Sequence, residues 1–234
     1  MRLDWLFPLA FVHSITGLLL LGASVSFSPK RAWGQSLANE TSRLEELRFE
    51  YLSTQQGLSK NHLWAMHQDR EGFMWFGTDD GLNKYDGYTF TVFKADPNDP
   101  DHSLQHYIVT DIHEDRSGRL WVATPSGLHL VDKRTGKITP YGFEPIRINR
   151  WNAFHSIHED REGVLWIASV QGLVRFDPDT KQFRRYPHPS QLWFSAITED
   201  LSGRLWVGGA AGVNHFDRKT GRFTQVQLDP TRKE

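Results

Sequence analysis

The 234-residue chain contains no cysteine, which excludes disulfides and any thiolate nucleophile or thiolate metal ligand. Basic residues are not in excess, since 27 Lys and Arg stand against 28 Asp and Glu for a net charge of −1. Proteins that bind nucleic acid through its phosphates carry a basic surplus, so no nucleic-acid partner is expected. The sequence also lacks a phosphate-binding loop and a Ser/His/Asp hydrolase signature. Helical periodicity is nearly absent beyond the N-terminal region, where residues 42–49 are the only short candidate.

One long apolar run lies near the N terminus, from Trp5 to Phe27, after Arg2. Ala32-Trp33-Gly34 then fits the small-x-small pattern that precedes signal-peptide cleavage. We therefore expect residues 1–34 to be a signal peptide that exports the protein to the periplasm, followed by a polar lead-in over residues 35–46. The alternative is an uncleaved membrane anchor, because about 20 apolar residues can span a bilayer. In that case the remaining chain would lie outside the cytoplasm, bound to the membrane.

A motif of the form Asp-x-x-Gly-x-x-Trp occurs four times, and its tryptophans recur every 40 to 46 residues. Self-similarity at this period predicts a stack or ring of one supersecondary unit. The motif residues are Asp69, Gly72, Trp75, Asp115, Gly118, Trp121, Asp160, Gly163, Trp166, Asp200, Gly203 and Trp206. Asp suits the first position of a tight turn and Gly the fourth. We therefore expect a structural turn, with the large apolar Trp as a packing anchor.

Each motif lies among four short apolar or aromatic segments separated by turn residues, a pattern that predicts a four-stranded antiparallel sheet. Sheets of this kind repeating every 40 to 50 residues are typical of β-propeller blades. The predicted fold is all-β, a β-propeller of four four-stranded antiparallel blades within residues 47–234. The blade motifs lie near residues 63–93, 109–141, 154–186 and 194–226.

The second copy reads Ile112-His113-Glu114-Asp115-Arg116-Ser117-Gly118-Arg119-Leu120-Trp121-Val122-Ala123-Thr124-Pro125-Ser126-Gly127-Leu128. It resembles the two-component regulator propeller repeat, and the resemblance extends from about Phe49 to Phe223. In that family the propeller is the extracytoplasmic sensor of hybrid histidine kinases and diguanylate cyclase receptors. The resemblance implies a ligand-sensing or interaction role without catalysis. It also implies rings of seven blades, so that four repeats would form an incomplete, open portion of a ring.

The chain ends at Glu234, shortly after the fourth repeat, without the second membrane helix and output domain that usually follow in this family. We therefore expect a truncated N-terminal sensor part of such a receptor. Two alternatives are a propeller enzyme acting on glycans, either a lyase or a glycosidase, and a stand-alone protein-interaction scaffold. An enzyme should show blade-specific carboxylates, Tyr or His on one rim, whereas the departures from the repeat are scattered here. No catalytic residue and no cofactor are expected.

Three repeats carry a histidine two residues before the turn Asp, namely His67, His113 and His158. A metal site is not expected from them, because packed sheets lie about 10 Å apart and metal ligands bind at about 2 Å. The turn aspartates do not predict a calcium site either, since such a loop needs several oxygen ligands in quick succession. The histidines are interpreted as packing residues.

Aromatic and amide side chains stand just before the first strand of each repeat. They are predicted to lie at one end of the ring, near its central opening, where they would suit a carbohydrate or another small polar ligand. The alternative interpretation is ordinary packing at the rim. The candidate ligand-binding residues are His62, Trp64, His106, Tyr107, Trp151, Asn152 and Trp193.

An open arc of four blades would expose an apolar face at each end. Large exposed apolar patches mark association sites, so self-association through the open blade faces is expected. The alternative is a closed four-bladed ring, which some propellers form.

Overall fold

The computed structural model describes residues 51–142, 154–190, 192–210 and 212–226. The predicted signal peptide or anchor (1–34), the lead-in (35–46) and the candidate ligand residues Trp151 and Asn152 lie outside these ranges. None of the described residues belongs to a helix with the length and apolar character needed to cross a bilayer.

Four antiparallel sheets of four strands each make up the described chain, after a 3-10 turn at Thr54–Gln56. Blade 1 contains β1 (Leu63–Gln68), β2 (Met74–Thr78), β3 (Gly81–Tyr85) and β4 (Phe90–Phe93). Blade 2 contains β5 (Asp111–Glu114), β6 (Leu120–Thr124), β7 (Gly127–Val131) and β8 (Ile138–Tyr141). Blade 3 contains β9 (Phe154–Glu159), β10 (Leu165–Ser169), β11 (Gly172–Asp177) and β12 (Gln182–Tyr186). Blade 4 contains β13 (Phe194–Glu199), β14 (Leu205–Gly209), β15 (Gly212–Asp217) and β16 (Arg222–Gln225). The all-β, four-blade prediction is confirmed.

Within each blade the strands pair in chain order, so every connection is a hairpin. The Asp-x-x-Gly turn closes the first hairpin. In blade 2 the Gly118 amide donates to the carbonyl oxygen of Asp115 at 2.8 Å. Gly118 has a φ of +80°, a conformation that glycine adopts at little cost and other residues rarely adopt.

Neighbouring blades pack through their first strands, so that β1, β5, β9 and β13 follow one another along the inside of an arc. Three buried apolar clusters lie between the sheets, one between each pair of successive blades. All five residues of β6 are buried, as are all five of β10. Both faces of an inner blade are covered, which explains why these strands are continuous apolar runs.

The described strands show no comparable packing of blade 4 against blade 1, and the arc is open. Trp75, Trp121 and Trp166 are buried between blades. Trp206 occupies the same position in blade 4 but is only partly buried. The interpretation of the repeated Trp as a packing anchor between blades therefore holds for Trp75, Trp121 and Trp166 but not for Trp206, because no described residue covers the outer face of blade 4.

Candidate functional site

The turn aspartates are fully engaged within their own repeats. In each blade the Trp indole Nε1 donates to Oδ2 of the turn Asp, at 2.8 Å in blades 1 and 2, 2.7 Å in blade 3 and 2.9 Å in blade 4. Oδ1 of Asp115 accepts from the backbone amides of Ser117 and Arg119, both at 2.9 Å. Burial alone would raise the pKa of Asp115, but hydrogen bonds from Trp121 and Arg119 outweigh it and lower that pKa. These carboxylates hold the turn and the Trp together.

The arginine after the turn Asp joins its blade to the next one. Nη1 of Arg70 donates to the carbonyl oxygen of Arg116 at 2.9 Å, and the Arg70 amide donates to Oε2 of Glu114 at 2.8 Å. Arg116 repeats both bonds with Arg161 and Glu159, at 2.8 and 2.9 Å.

In the third contact Nη2 of Arg161 donates to the carbonyl oxygen of Leu201 at 2.7 Å, and Nε lies 3.7 Å from Oε1 of Glu199. We call this set the inter-blade latch (Arg70–Glu114, Arg116–Glu159 and Arg161–Glu199). The latch was not predicted from the sequence, although Arg recurs directly after three of the turn aspartates.

The three repeated histidines lie opposite the buried tryptophans, in the pairs His67–Trp75, His113–Trp121 and His158–Trp166. Burial lowers the pKa of all three, and that of His113 falls to about 4. Across the blade contacts, Nε2 of His113 and His158 lies 3.8 and 3.7 Å from a carboxylate of the next blade. Within the described residues no group of three or more His, Cys, Asp or Glu side chains could hold a metal ion.

Three exposed aromatic side chains lie at the end of the blades opposite the Asp-x-x-Gly turns, where the hairpins between the second and third strands of each blade also lie. We call this end the hairpin rim, and it carries Trp64, Tyr107 and Trp193. Their exposed fractions are 51%, 54% and 44%. Each residue stands at or just before the first strand of its blade, on the inner side of the arc.

Trp64 is held by Asp79, an acidic residue that was not among the candidate ligand-binding residues. Its indole Nε1 donates to Oδ1 of Asp79 at 2.6 Å, and Nδ1 of His62 lies 2.8 Å from Oδ2 of the same carboxylate. The His62 and Trp64 rings meet edge to face with centroids 4.8 Å apart. The hydrogen bond from Trp64 is the main cause that lowers the pKa of Asp79, so this carboxylate is charged near neutral pH.

The other two aromatic residues have similar neighbours. His106 and Tyr107 stack with centroids 4.3 Å apart, and the Gly81 amide donates to the Tyr107 carbonyl oxygen at 2.6 Å. Trp193 lies 5.9 Å from the ring of His155, which belongs to blade 3. Each aromatic residue thus has an adjacent histidine. Among the described residues, each of these three aromatic rings contacts its own histidine ring and none of the rings in the other two pairs.

Comparison with known proteins gives one family and several related structures. The two component regulator propeller family matches residues 57–80 and 103–126. A histidine kinase, P4, of Formosa agariphila is 46% identical over 43 residues, covering 18% of this chain and 3% of the kinase. A structure named as the extracellular domain of a hybrid two component system from B. thetaiotaomicron has a TM-score of 0.52 at 26% identity, over 75% of this chain and 31% of its own.

A second structure, named as the extracellular domain of a one component system from the same organism, has a TM-score of 0.64 at 23% identity. It covers 80% of this chain and 28% of its own. A virginiamycin B lyase from Staphylococcus aureus has a TM-score of 0.56 at 18% identity, over 73% of this chain and 56% of its own. The chain thus spans less than a third of both extracellular domains.

The two matched segments each include a turn Asp with the strands that flank it, and the same hydrogen bond from the Trp indole to the turn Asp recurs in blades 3 and 4. The resemblance of the repeat to the two component regulator propeller family is thus confirmed over residues 57–80 and 103–126.

Proposed function

We propose that the four blades are the ligand-sensing part of an extracytoplasmic receptor domain, the N-terminal portion of a two-component or diguanylate cyclase receptor, and that they do not catalyse a reaction. The family match and the likeness to extracellular domains of signalling systems support this assignment. The turn carboxylates support the absence of catalysis, because their oxygens already accept hydrogen bonds within the repeat.

The hairpin rim is the proposed ligand site, and the observation that carries it is the arrangement around Trp64. An exposed indole is fixed by a carboxylate, and a histidine lies beside it. A fixed aromatic face can pack on the C–H face of a sugar ring, while Asp79 and His62 offer polar partners to its hydroxyl groups. The site is therefore suited to a carbohydrate or a similar small polar ligand.

Calorimetric titration of the purified protein with neutral oligosaccharides tests this proposal. Trp64→Ala, Tyr107→Ala and Trp193→Ala should each weaken binding. Tyr88→Ala is the matched control, because Tyr88 is 90% exposed and lies in the β3–β4 turn at the opposite end of blade 1. Equal losses in Trp64→Ala and Tyr88→Ala, or no glycan binding at all, would contradict the assignment.

An enzymatic role is the second candidate, because a virginiamycin B lyase shares the fold. Incubation with a glycan panel, followed by chromatographic detection of products, separates the two roles. Turnover that disappears in Trp64→Ala, while the protein remains folded, would favour an enzyme over a sensor.

We also propose that the mature protein acts in the periplasm after cleavage within residues 1–34. N-terminal sequencing of protein recovered from cell fractions tests this. Full-length protein in the cytosol would contradict it, and full-length protein in the membrane fraction would favour the uncleaved anchor.

Self-association through the end faces of the arc is a further part of the proposal. Met66 on the outer face of blade 1 is 66% exposed. Beside it, the rings of Phe76 and Phe90 have centroids 5.9 Å apart. A similar ring pair in blade 3, Phe176 and Phe183, packs against blade 2. The outer face of blade 1 thus carries apolar and aromatic side chains like those of a face that a neighbouring blade covers.

A further inference from the structure

A polar cavity lies between blades 3 and 4, at the end of the arc that carries the Asp-x-x-Gly turns. Its volume is about 250 Å³. Three arginines, Arg175, Arg184 and Arg218, line it together with the rings of Trp166 and Tyr186. Two acidic residues, Asp160 and Glu162, complete the lining, so the cavity carries more positive than negative side chains.

Two of these arginines face each other directly. Trp166, Arg175 and Arg184 are successive register partners on β10, β11 and β12, and their side chains therefore stand side by side on one face of the blade. Like charges at directly opposed positions of a sheet are destabilising. Nη2 of Arg175 lies 3.6 Å from Oδ2 of Asp177 on the same strand, whereas Arg184 forms no ion pair with any described residue.

The other three blades provide an internal comparison. At the position of Arg184 they carry Thr91, Thr139 and Thr224, opposite Lys84, Leu130 and His215 respectively. Only blade 3 of these four places one cation against another. Arg184 thus departs from the repeat at a position where each of the other three blades has a threonine.

One arginine of the cavity, Arg218, has buried donors that remain unused. Nη2 of Arg218 lies 3.3 Å from Oε1 of Glu199 and 3.7 Å from Oδ2 of Asp160, yet its Nε and Nη2 atoms are buried and make no hydrogen bond to any described residue. Asp160 already accepts bonds from Trp166 and two backbone amides. The guanidinium of Arg184 lies 5.0 Å from the Tyr186 ring centre.

We propose that this cavity binds the oxyanion group of a small ligand, a carboxylate, sulfate or phosphate. Guanidinium groups present planar pairs of donors that match such groups, and an anion between Arg175 and Arg184 removes their mutual repulsion. The rings of Trp166 and Tyr186 offer an apolar wall to the rest of the ligand. This site lies at the opposite end of the blades from the hairpin rim and does not depend on the function proposed there.

Calorimetric titration with inorganic sulfate, inorganic phosphate and glucuronate tests the proposal, with chloride used to keep the ionic strength constant and glucose as the neutral partner of glucuronate. The key variant is Arg184→Thr, which installs the residue of the other three blades. Arg184 is exposed, so the change should leave the fold intact. The matched control is Arg185→Thr, which removes the same charge from the next position of β12, where the side chain bonds Gln171 instead.

At least one anion should bind the wild-type protein and Arg185→Thr, while Arg184→Thr should weaken that binding roughly tenfold or more. Arg184→Thr should also raise the melting temperature without an anion, because the like-charge pair is gone. The comparison of sulfate, phosphate and glucuronate identifies the preferred group. The proposal is overturned if no anion binds, if glucose binds as well as glucuronate, if the two variants lose binding equally, or if Arg184→Thr lowers stability and leaves binding unchanged.

Discussion

Replacement of Asp115 by Asn tests whether the turn carboxylate holds the blade together. Oδ1 of Asp115 accepts from the amides of Ser117 and Arg119, and Oδ2 accepts from Trp121 Nε1 at 2.8 Å and from Arg119 Nε at 2.6 Å. The residue is 1% exposed. An asparagine can keep the two backbone bonds with its single oxygen, but its NH₂ group then faces two donors.

The expected loss follows from these contacts. The indole N–H of Trp121 is left buried without an acceptor, which costs about 1–3 kcal/mol. The partly exposed ion pair with Arg119 adds up to about 1 kcal/mol. We therefore expect the free energy of unfolding to fall by about 1–4 kcal/mol, without loss of any ligand binding at the hairpin rim.

Urea denaturation followed by tryptophan fluorescence measures this loss by linear extrapolation. Asp200→Asn is the matched control, since Asp200 makes the corresponding bonds with Ser202, Arg204 and Trp206 but at the open end of the arc, where water can replace them. Its loss should be smaller. In a Trp121→Phe background the cost of Asp115→Asn should also shrink, because the indole donor is absent.

Three results would refute this reasoning. They are a loss below about 0.5 kcal/mol in Asp115→Asn, an equal loss in Asp200→Asn, and a chemical activity that vanishes in a folded Asp115→Asn protein. The last result would show that Asp115 has a catalytic role.

Four further predictions use the same protein. Trp121→Ala should cost about 3–5 kcal/mol in urea denaturation because it leaves a cavity between blades 2 and 3, and a loss under about 1 kcal/mol would show that Trp121 is not a core anchor. Gly172→Ala should cost about 2 kcal/mol or more, because Gly172 has a φ of +108° and an added Cβ would clash with the carbonyl oxygen of Tyr186; an unchanged midpoint would contradict this. The folded-state pKa of Asp115 is lowered, so its contribution to the free energy of unfolding is present above the unfolded pKa of about 3.9 and is lost as the pH falls below that value. Asp115→Asn should therefore make the free energy of unfolding less dependent on pH in the acid range. An unchanged pH dependence would count against the lowered pKa. Met66→Glu should lower the molar mass seen by light scattering at micromolar concentration if the end faces associate, whereas an unchanged oligomer would place the contact elsewhere.

The repeat and its turns could be predicted from sequence because their geometry depends on neighbours in the chain. Asp115, Gly118 and Trp121 lie within one hairpin, and their contacts need no knowledge of other blades. The blade motif predicted near residues 154–186 contains the observed β9 to β12, including the fully buried β10. Local turn chemistry and a continuous apolar run therefore suffice to locate a strand that is covered on both faces.

The first strand of blade 2 shows where this reasoning failed. The motif of blade 2 was predicted to begin near residue 109, but β5 spans Asp111–Glu114. The Val109 amide donates instead to the carbonyl oxygen of Thr78 in blade 1, at 3.0 Å, and Val109 is completely buried there. Val109, which the sequence assigns to blade 2, thus packs on blade 1. The aromatic residues of the hairpin rim could be selected from sequence, but not Asp79, whose partner Trp64 lies 15 residues away.

The end blades of the arc differ from the inner blades in the residues that join them. Gln68 of blade 1 occupies the position that the glutamates of the inter-blade latch, Glu114, Glu159 and Glu199, occupy in the other blades. Leu201 of blade 4, which is 98% exposed, occupies the position of the latch arginines. If the two end faces met, Gln68 and Leu201 would face each other without an unpaired charge. Such a contact would rest on apolar burial alone and would be nearly insensitive to salt. Each contact inside the arc adds a guanidinium bond to the carbonyls of the next turn, so successive blades are joined by two kinds of interaction, whereas the end faces would be joined by one.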